Sequence, residues 1–77
     1  MNSDDIKILI ETSIKDSVAR VNSDDNVHFE AIVISEAFRG KSLIQRHQMV
    51  YGSLGDKMES EIHALSLTTL TPKENLE

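Results

Sequence analysis

Apolar residues return at every fourth position from Ile6 through Ile10 and Ile14 to Val18, with Leu9 beside them, while Lys7, Glu11, Lys15 and Asp16 fill the polar side. That period predicts an amphipathic helix. It starts at Ser3-Asp4-Asp5, where a hydroxyl accepts from an orphan backbone N–H and carboxylates favour the positive end of the dipole, and it ends near Ala19. Two extended segments follow, Ala19 to Val21 and Val27 to Ser35, joined by Asn22-Ser23-Asp24-Asp25-Asn26, whose short polar side chains favour turns. This reads as a β-hairpin. Its second strand, Phe29-Glu30-Ala31-Ile32-Val33-Ile34, is apolar on both parities towards its far end, as a central strand is.

Beyond Phe38-Arg39-Gly40-Lys41, Ser42 is a good N-cap, and Leu43, His47, Val50, Leu54, Met58 and Ile62 keep a helical spacing. Gly52 and Gly55 each disfavour a helix interior by about 1 kcal/mol relative to Ala, which predicts a break and a second helix at Met58–Glu61. From His63 to Leu70 the chain alternates, with Leu65 and Leu67 on one face and Ala64, Ser66 and Thr68 on the other, so this is a third strand. Thr71-Pro72-Lys73-Glu74 has capping-box spacing with Pro at the first helical position. The expected order is α-β-β-α(α)-β-α, an α+β layer in which helices cover one face of a small three-stranded sheet and the other face stays open.

Composition narrows what such a layer can do. A chain of 77 residues suits one domain, 1–77, with a thin core. With no cysteine there is no disulfide, no thiolate ligand and no thiol nucleophile, so His, Asp and Glu are the strong metal-ligand candidates. The net charge of -5 argues against a surface that attracts phosphate backbones all over, and Phe29, Phe38 and Tyr51 are too few for a base-stacking platform. The acidic start Met1-Asn2-Ser3-Asp4-Asp5 and the lack of an apolar run near the ~20 residues of a membrane span lead to the expectation of a cytoplasmic protein without membrane association.

The histidines and one basic segment are the residues with chemistry to offer. His63, on the parity of Leu65 and Leu67, reads from its position as a residue that caps the preceding helix and packs its edge. His28 follows the acidic turn on the parity opposite Phe29, which points it away from the core as a solvated strand-edge residue. His47 sits on the apolar stripe between Leu43 and Val50 and is expected to be a largely buried, hydrogen-bonded structural residue. Residues 37–55 hold Arg39, Lys41 and Arg46 and no acid, a locally basic stretch that most often is a solvated face. It has neither the GxxG clamp of a nucleotide-binding KH loop nor the spacing of a P-loop. Glu61 and His63 can be paired on paper, but no nucleophile accompanies them, and the expected role is not enzymatic.

Several separate blocks carry a family resemblance. Phe38-Arg39-Gly40-Lys41-Ser42, Gln45-Arg46-His47-Gln48-Met49-Val50-Tyr51 with Leu54, and Ile62-His63-Ala64-Leu65-Ser66-Leu67 with Thr71-Pro72-Lys73-Glu74 closely resemble the BolA-like signature. Val27-His28-Phe29 is similar to the hairpin of its histidine-bearing YrbA-like (IbaG-like) branch, whereas other members carry a thiol in that loop. The resemblance implies a fold like class II KH domains. It also implies partnership with monothiol glutaredoxins in iron-sulfur cluster assembly and trafficking, through a 2Fe-2S cluster shared with the glutaredoxin and glutathione. His63 would be its first ligand and His28 its second. Some members place the loop ligand earlier, where this chain has Asp24 and Asp25, poor partners for an iron-sulfur centre. The other implied role is DNA-binding transcriptional regulation, for which Arg39, Lys41 and Arg46 are the candidate contacts. The isolated chain is expected to be a monomer or weak homodimer without bound cofactor.

Overall fold

The computed structural model describes residues 1–60, 62 and 64–77, with residues 59 and 60 through their backbone. Along the chain come α1 (Ser3–Ser13), β1 (Ser17–Asn22), β2 (His28–Ser35), a 3-10 turn (Glu36–Phe38), α2 (Leu43–Leu54), α3 (Lys57–Ser60), β3 (Ala64–Leu70) and α4 (Pro72–Asn75). The α+β order expected from the pattern is the one observed.

At the start of α1 the cap is Asn2 and not Ser3: its side-chain oxygen accepts from the Asp5 N–H, and the Asp5 carboxylate accepts from the Asn2 N–H, both at 3.0 Å. The helix ends at Ser13, earlier than its apolar period suggests. Asp16 adopts a left-handed φ of 52°, and from Ser17 onward the backbone bonds to β2 instead, with Ser17 opposite Ser35 and Asn22 opposite Glu30. Strand pairing thus overrides the four-residue repeat at Val18, which is 50% exposed on the outer face of the sheet.

The sheet order is β1-β2-β3, so β2 is central as its two-sided apolar pattern requires. β1 runs antiparallel to β2 and β3 runs parallel to it, the return being made through α2 and α3. One face buries Ala19, Phe29, Ala31, Val33 and Thr69 under the helices, and the other leaves Arg20, Glu30, Ile32, Ser66 and Thr68 exposed. Ile6, Ile10 and Ile14 from the N-terminal segment and Val50, Leu54 and Ile62 from the crossover close the core around Phe29, Val33 and Phe38.

Ser42 caps α2 in a reciprocal box with Gln45. Leu43, assigned to the apolar stripe, is 64% exposed in the first turn. The expected break falls at Gly55, whose φ of 58° suits a residue without Cβ, while Gly52 remains inside the last turn of α2. Thr71 and Glu74 form the predicted box around Pro72. Among the described residues no helix is long and apolar enough to cross a membrane.

Candidate functional site

The β1–β2 hairpin closes in a polar turn that one carboxylate organises. Asp25 Oδ1 accepts from the backbone N–H groups of Val27 and His28, each at 2.9 Å, while Oδ2 lies 2.9 Å from His28 Nδ1. The Ser23 hydroxyl donates to the His28 carbonyl at 2.6 Å and accepts from the Asn26 N–H at 2.9 Å. Asn26, at φ 58°, supplies the left-handed residue such a turn needs, a conformation that Asn tolerates. The imidazole of His28 is therefore aimed from both its backbone and its ring, yet its side chain is 63% exposed. Hydrogen bonds from His28, side chain first and then backbone, and from Val27 hold the Asp25 carboxyl below the usual carboxylate range.

Beside this turn lies an open cleft of about 440 Å³ lined by Asn22, Asp24, Asp25, His28, Glu30 and Ser66, with Ala64 at its β3 side. The register pairs His28 with Ala64, the residue that follows His63 in the sequence. His63 itself, with Glu61, lies outside the described residues. Among the described residues no three His, Cys, Asp or Glu side chains cluster as a metal-holding group. Asp25, by residue type a turn former and a poor iron-sulfur ligand, has a further place that its type does not disclose, bonded to the Nδ1 of His28. The signal was a carboxylate three residues before His28 within a turn-forming run.

Folding rearranges the basic segment more than its sequence suggests. Arg39 Nε pairs with Glu36, immediately outside the acid-free stretch. Arg46 is only 13% exposed: Nε donates to the Lys41 carbonyl at 3.0 Å, and Nη1 and Nη2 donate to the two Glu74 oxygens at 2.7 and 3.3 Å. Its guanidinium carbon lies 5.9 Å from the Phe38 ring centroid. The pair with Arg46, followed by the Thr71 N–H, lowers the Glu74 carboxyl to about 2. Lys41 is exposed and makes no ion pair with a described residue. Nucleic-acid candidates Arg39 and Arg46 are therefore already held by acids of the same chain.

His47 is half-buried, and its ring meets Tyr51 edge-on at 6.4 Å. Its Nε2 is buried without a hydrogen-bond partner among the described residues. The expectation of a largely buried, hydrogen-bonded ring is corrected: the residue is half-buried, and Nε2 has no hydrogen-bond partner among the described residues.

A family model described as BolA-like protein matches residues 3–74. The structure of a BolA homologue from Coxiella burnetii superposes with a TM-score of 0.90 at 42% identity, covering 100% of this chain and 99% of that one. SufE-like protein 1, chloroplastic/mitochondrial, of Arabidopsis thaliana is 45% identical over 51 residues, which are 66% of this chain and 14% of that protein. The solved BolA domain of the same plant's SufE1 has a TM-score of 0.81 at 34% identity, over 94% of this chain and 93% of the domain. The DNA-binding transcriptional regulator BolA of Escherichia coli is 38% identical over 47 residues, 61% of this chain and 45% of that protein. This chain spans less than half the length of those two curated relatives. With its α-β-β-α-β-α order and a family match running from α1 into α4, the chain belongs to the BolA-like family.

Proposed function

We propose that this protein is a non-enzymatic partner of a monothiol glutaredoxin in iron-sulfur cluster assembly or trafficking, to which it lends His63 and His28 as ligands of a shared 2Fe-2S cluster. The observation that carries the reading is the Asp25–His28 pair: a carboxylate engages Nδ1 of a largely exposed imidazole, a pairing of the kind that fixes tautomer and ring direction in histidine metal ligands. Its position suits a shared site, because His28 stands at the hairpin end opposite the residue following His63 and beside an open cleft. With no cysteine in the chain, thiolates come from glutaredoxin and glutathione. An imidazole in place of a thiolate gives a 2Fe-2S centre a higher reduction potential. This chain's own part is to hold two neutral imidazoles at the contact and to keep Asp25 ionised behind one of them.

The name of the Escherichia coli relative points to DNA binding, but Arg39 and Arg46 are spent on Glu36 and Glu74, which favours the cluster reading over a phosphate-binding one. The test is reconstitution of the chain with a monothiol glutaredoxin, glutathione, iron and sulfide, followed by visible absorption and circular dichroism. A coloured heterocomplex is expected. His63→Ala should abolish the mixed-ligand spectrum, His28→Ala should alter it, and Asp25→Asn should weaken cluster retention by roughly 10- to 100-fold. An unchanged spectrum from the His28→Ala/His63→Ala chain would remove both histidines from the assignment.

A further inference from the structure

Glu74 sits on Arg46 as a bound anion would. Nη1 and Nη2 of the guanidinium donate to the two carboxylate oxygens at 2.7 and 3.3 Å, the fork that arginine also makes with a phosphate. The arginine has two further anchors, the Lys41 carbonyl, which accepts from Nε at 3.0 Å, and the Phe38 ring, whose centroid lies 5.9 Å from the guanidinium carbon. Neither involves Glu74, so the guanidinium stays aimed when the carboxylate leaves. Lys41 itself is exposed and makes no ion pair with a described residue.

The acid is carried on a weakly held element. α4 is a single turn that buries none of its own residues, and Leu76 behind it is 87% exposed. A segment with so little buried apolar area opens at the low end of the stability range. Nor does its cap need the charge. In the Ser42 box the neutral side chain of Gln45 accepts from the Ser42 N–H, the same duty that Glu74 performs for the Thr71 N–H. A negative charge at residue 74 is thus more than the turn requires, and the group that answers it is Arg46.

We propose that Glu74 is an internal competitor for a nucleic-acid phosphate: while α4 is closed the carboxylate fills the fork of Arg46, and a phosphodiester group that displaces it takes the same fork, with Lys41 as its neighbouring contact. Closed, the chain offers such a backbone only Lys41 of this pair. Open, it offers both. Apparent affinity is therefore reduced by the fraction of chains in which the carboxylate holds the arginine. The contact is autoinhibitory, and it goes beyond the cluster reading without depending on it.

Fluorescence anisotropy across a salt series tests this on the chain alone, without glutaredoxin or iron, using a labelled duplex DNA and a labelled single-stranded RNA. Glu74→Gln keeps the capping box and removes the competing charge. It should bind about tenfold more tightly than the parent, and its log–log salt slope should be steeper by about 0.9 on the duplex or about 0.7 on the single strand, one further phosphate contact. Glu77→Gln removes the same charge from an exposed position at the end of the chain and should leave the slope unchanged. Arg46→Gln in the Glu74→Gln background should return the slope to that of the parent. Thermal melting shows whether each fold is kept, and if the double variant unfolds, the comparison of Glu74→Gln with Glu77→Gln decides alone. A larger gain on one probe names the source of the phosphate. Equal slopes for the parent and Glu74→Gln on both probes overturn the proposal, as does a gain from Glu77→Gln as large as that from Glu74→Gln.

Discussion

Two polar corners of this molecule are built from the same parts and put to opposite uses. At the hairpin, Asp25 accepts from two backbone N–H groups and from His28, and the histidine remains largely in solvent. At the foot of α4, Glu74 accepts from the Thr71 N–H and from Arg46, and the arginine is drawn in against Phe38. Each acid closes a turn and grips a base, Asp25 with separate oxygens and Glu74 with Oε1 shared between the Thr71 N–H and Arg46. The difference lies in the base. A permanently charged guanidinium that bridges Lys41, Glu74 and Phe38 ties α2 to α4 and is consumed as structure. An imidazole bonded through Nδ1 to its turn carboxylate stays 63% exposed and is not packed into the fold in this way.

The sharpest break of this comparison is to truncate each base. Arg46→Ala removes the guanidinium bonds together with its packing on Phe38, and we expect a loss of about 2 kcal/mol, or roughly 10 °C in melting temperature for a domain of this size. His28→Ala should stay within about 0.5 kcal/mol of the parent, because an exposed side chain leaves no cavity behind. Thermal melts followed by circular dichroism decide it. Equal losses from the two variants would erase the distinction between a structural base and a presented one.

Acid separates the corners next. Glu74 titrates at about 2 in the fold against an ordinary 4.5, so its contribution is complete above about pH 4.5 and is lost as pH falls towards 2. Asp25, likewise depressed, contributes above its ordinary 3.8 and loses that contribution at lower pH. Melting temperature should therefore fall on acidification through this window. Arg46→Ala should flatten the part due to Glu74, and His28→Ala the part due to Asp25. Parallel curves for the parent and both variants would mean that neither base sets its acid's titration.

A smaller effect concerns nucleic acid. If the three basic residues acted together, duplex DNA binding would have a log–log salt slope of about -2.7, but with Arg39 and Arg46 held by Glu36 and Glu74 we expect a slope of about -0.9, from Lys41. Binding should be weak at physiological salt, and Glu36→Gln, which releases Arg39, should steepen the slope by about one further contact. Fluorescence anisotropy across a salt series measures it. Tight, sequence-selective binding by the parent would return Arg39 and Arg46 to the interface.

The elements of the fold were legible because local rules and tertiary packing agree in them: the capping boxes at Ser42 and Thr71, the central strand at Phe29–Ile34 and the alternation in β3 are all found where their residues put them. The end of α1 was not, because the repeat through Val18 satisfies a helix as well as the observed strand, and only pairing with β2, remote in sequence, chooses between them. The same limit applies to charge. Residues 37–55 contain no acid, yet Glu74, 28 positions after Arg46, arrives through the return of β3. Of the candidate site, His28 and its outward direction could be read from parity against Phe29. The grip of Asp25 on Nδ1 depends on turn geometry that residue types leave open.

His47 offers the finest test, being a polar ring set in neither kind of corner. Its Nε2 is buried with no described partner, so the ring contributes by filling space beside Tyr51 more than by bonding. A buried nitrogen that has surrendered its water without gaining a partner is a net cost, whereas the carbon atoms around it are a gain. The two should separate on substitution. His47→Ala discards both and should lower stability by about 1 kcal/mol, through the space it leaves. His47→Met keeps much of the volume, removes the orphaned nitrogen, and should match or exceed the parent by up to about 0.5 kcal/mol, since an unbranched thioether adapts to the gap and suits a helix. Urea melts of the three chains resolve differences of this size when the slopes agree. If methionine were as damaging as alanine, His47 would be held by a polar contact after all, and its ring would belong with Arg46 among the residues that tie the helices down.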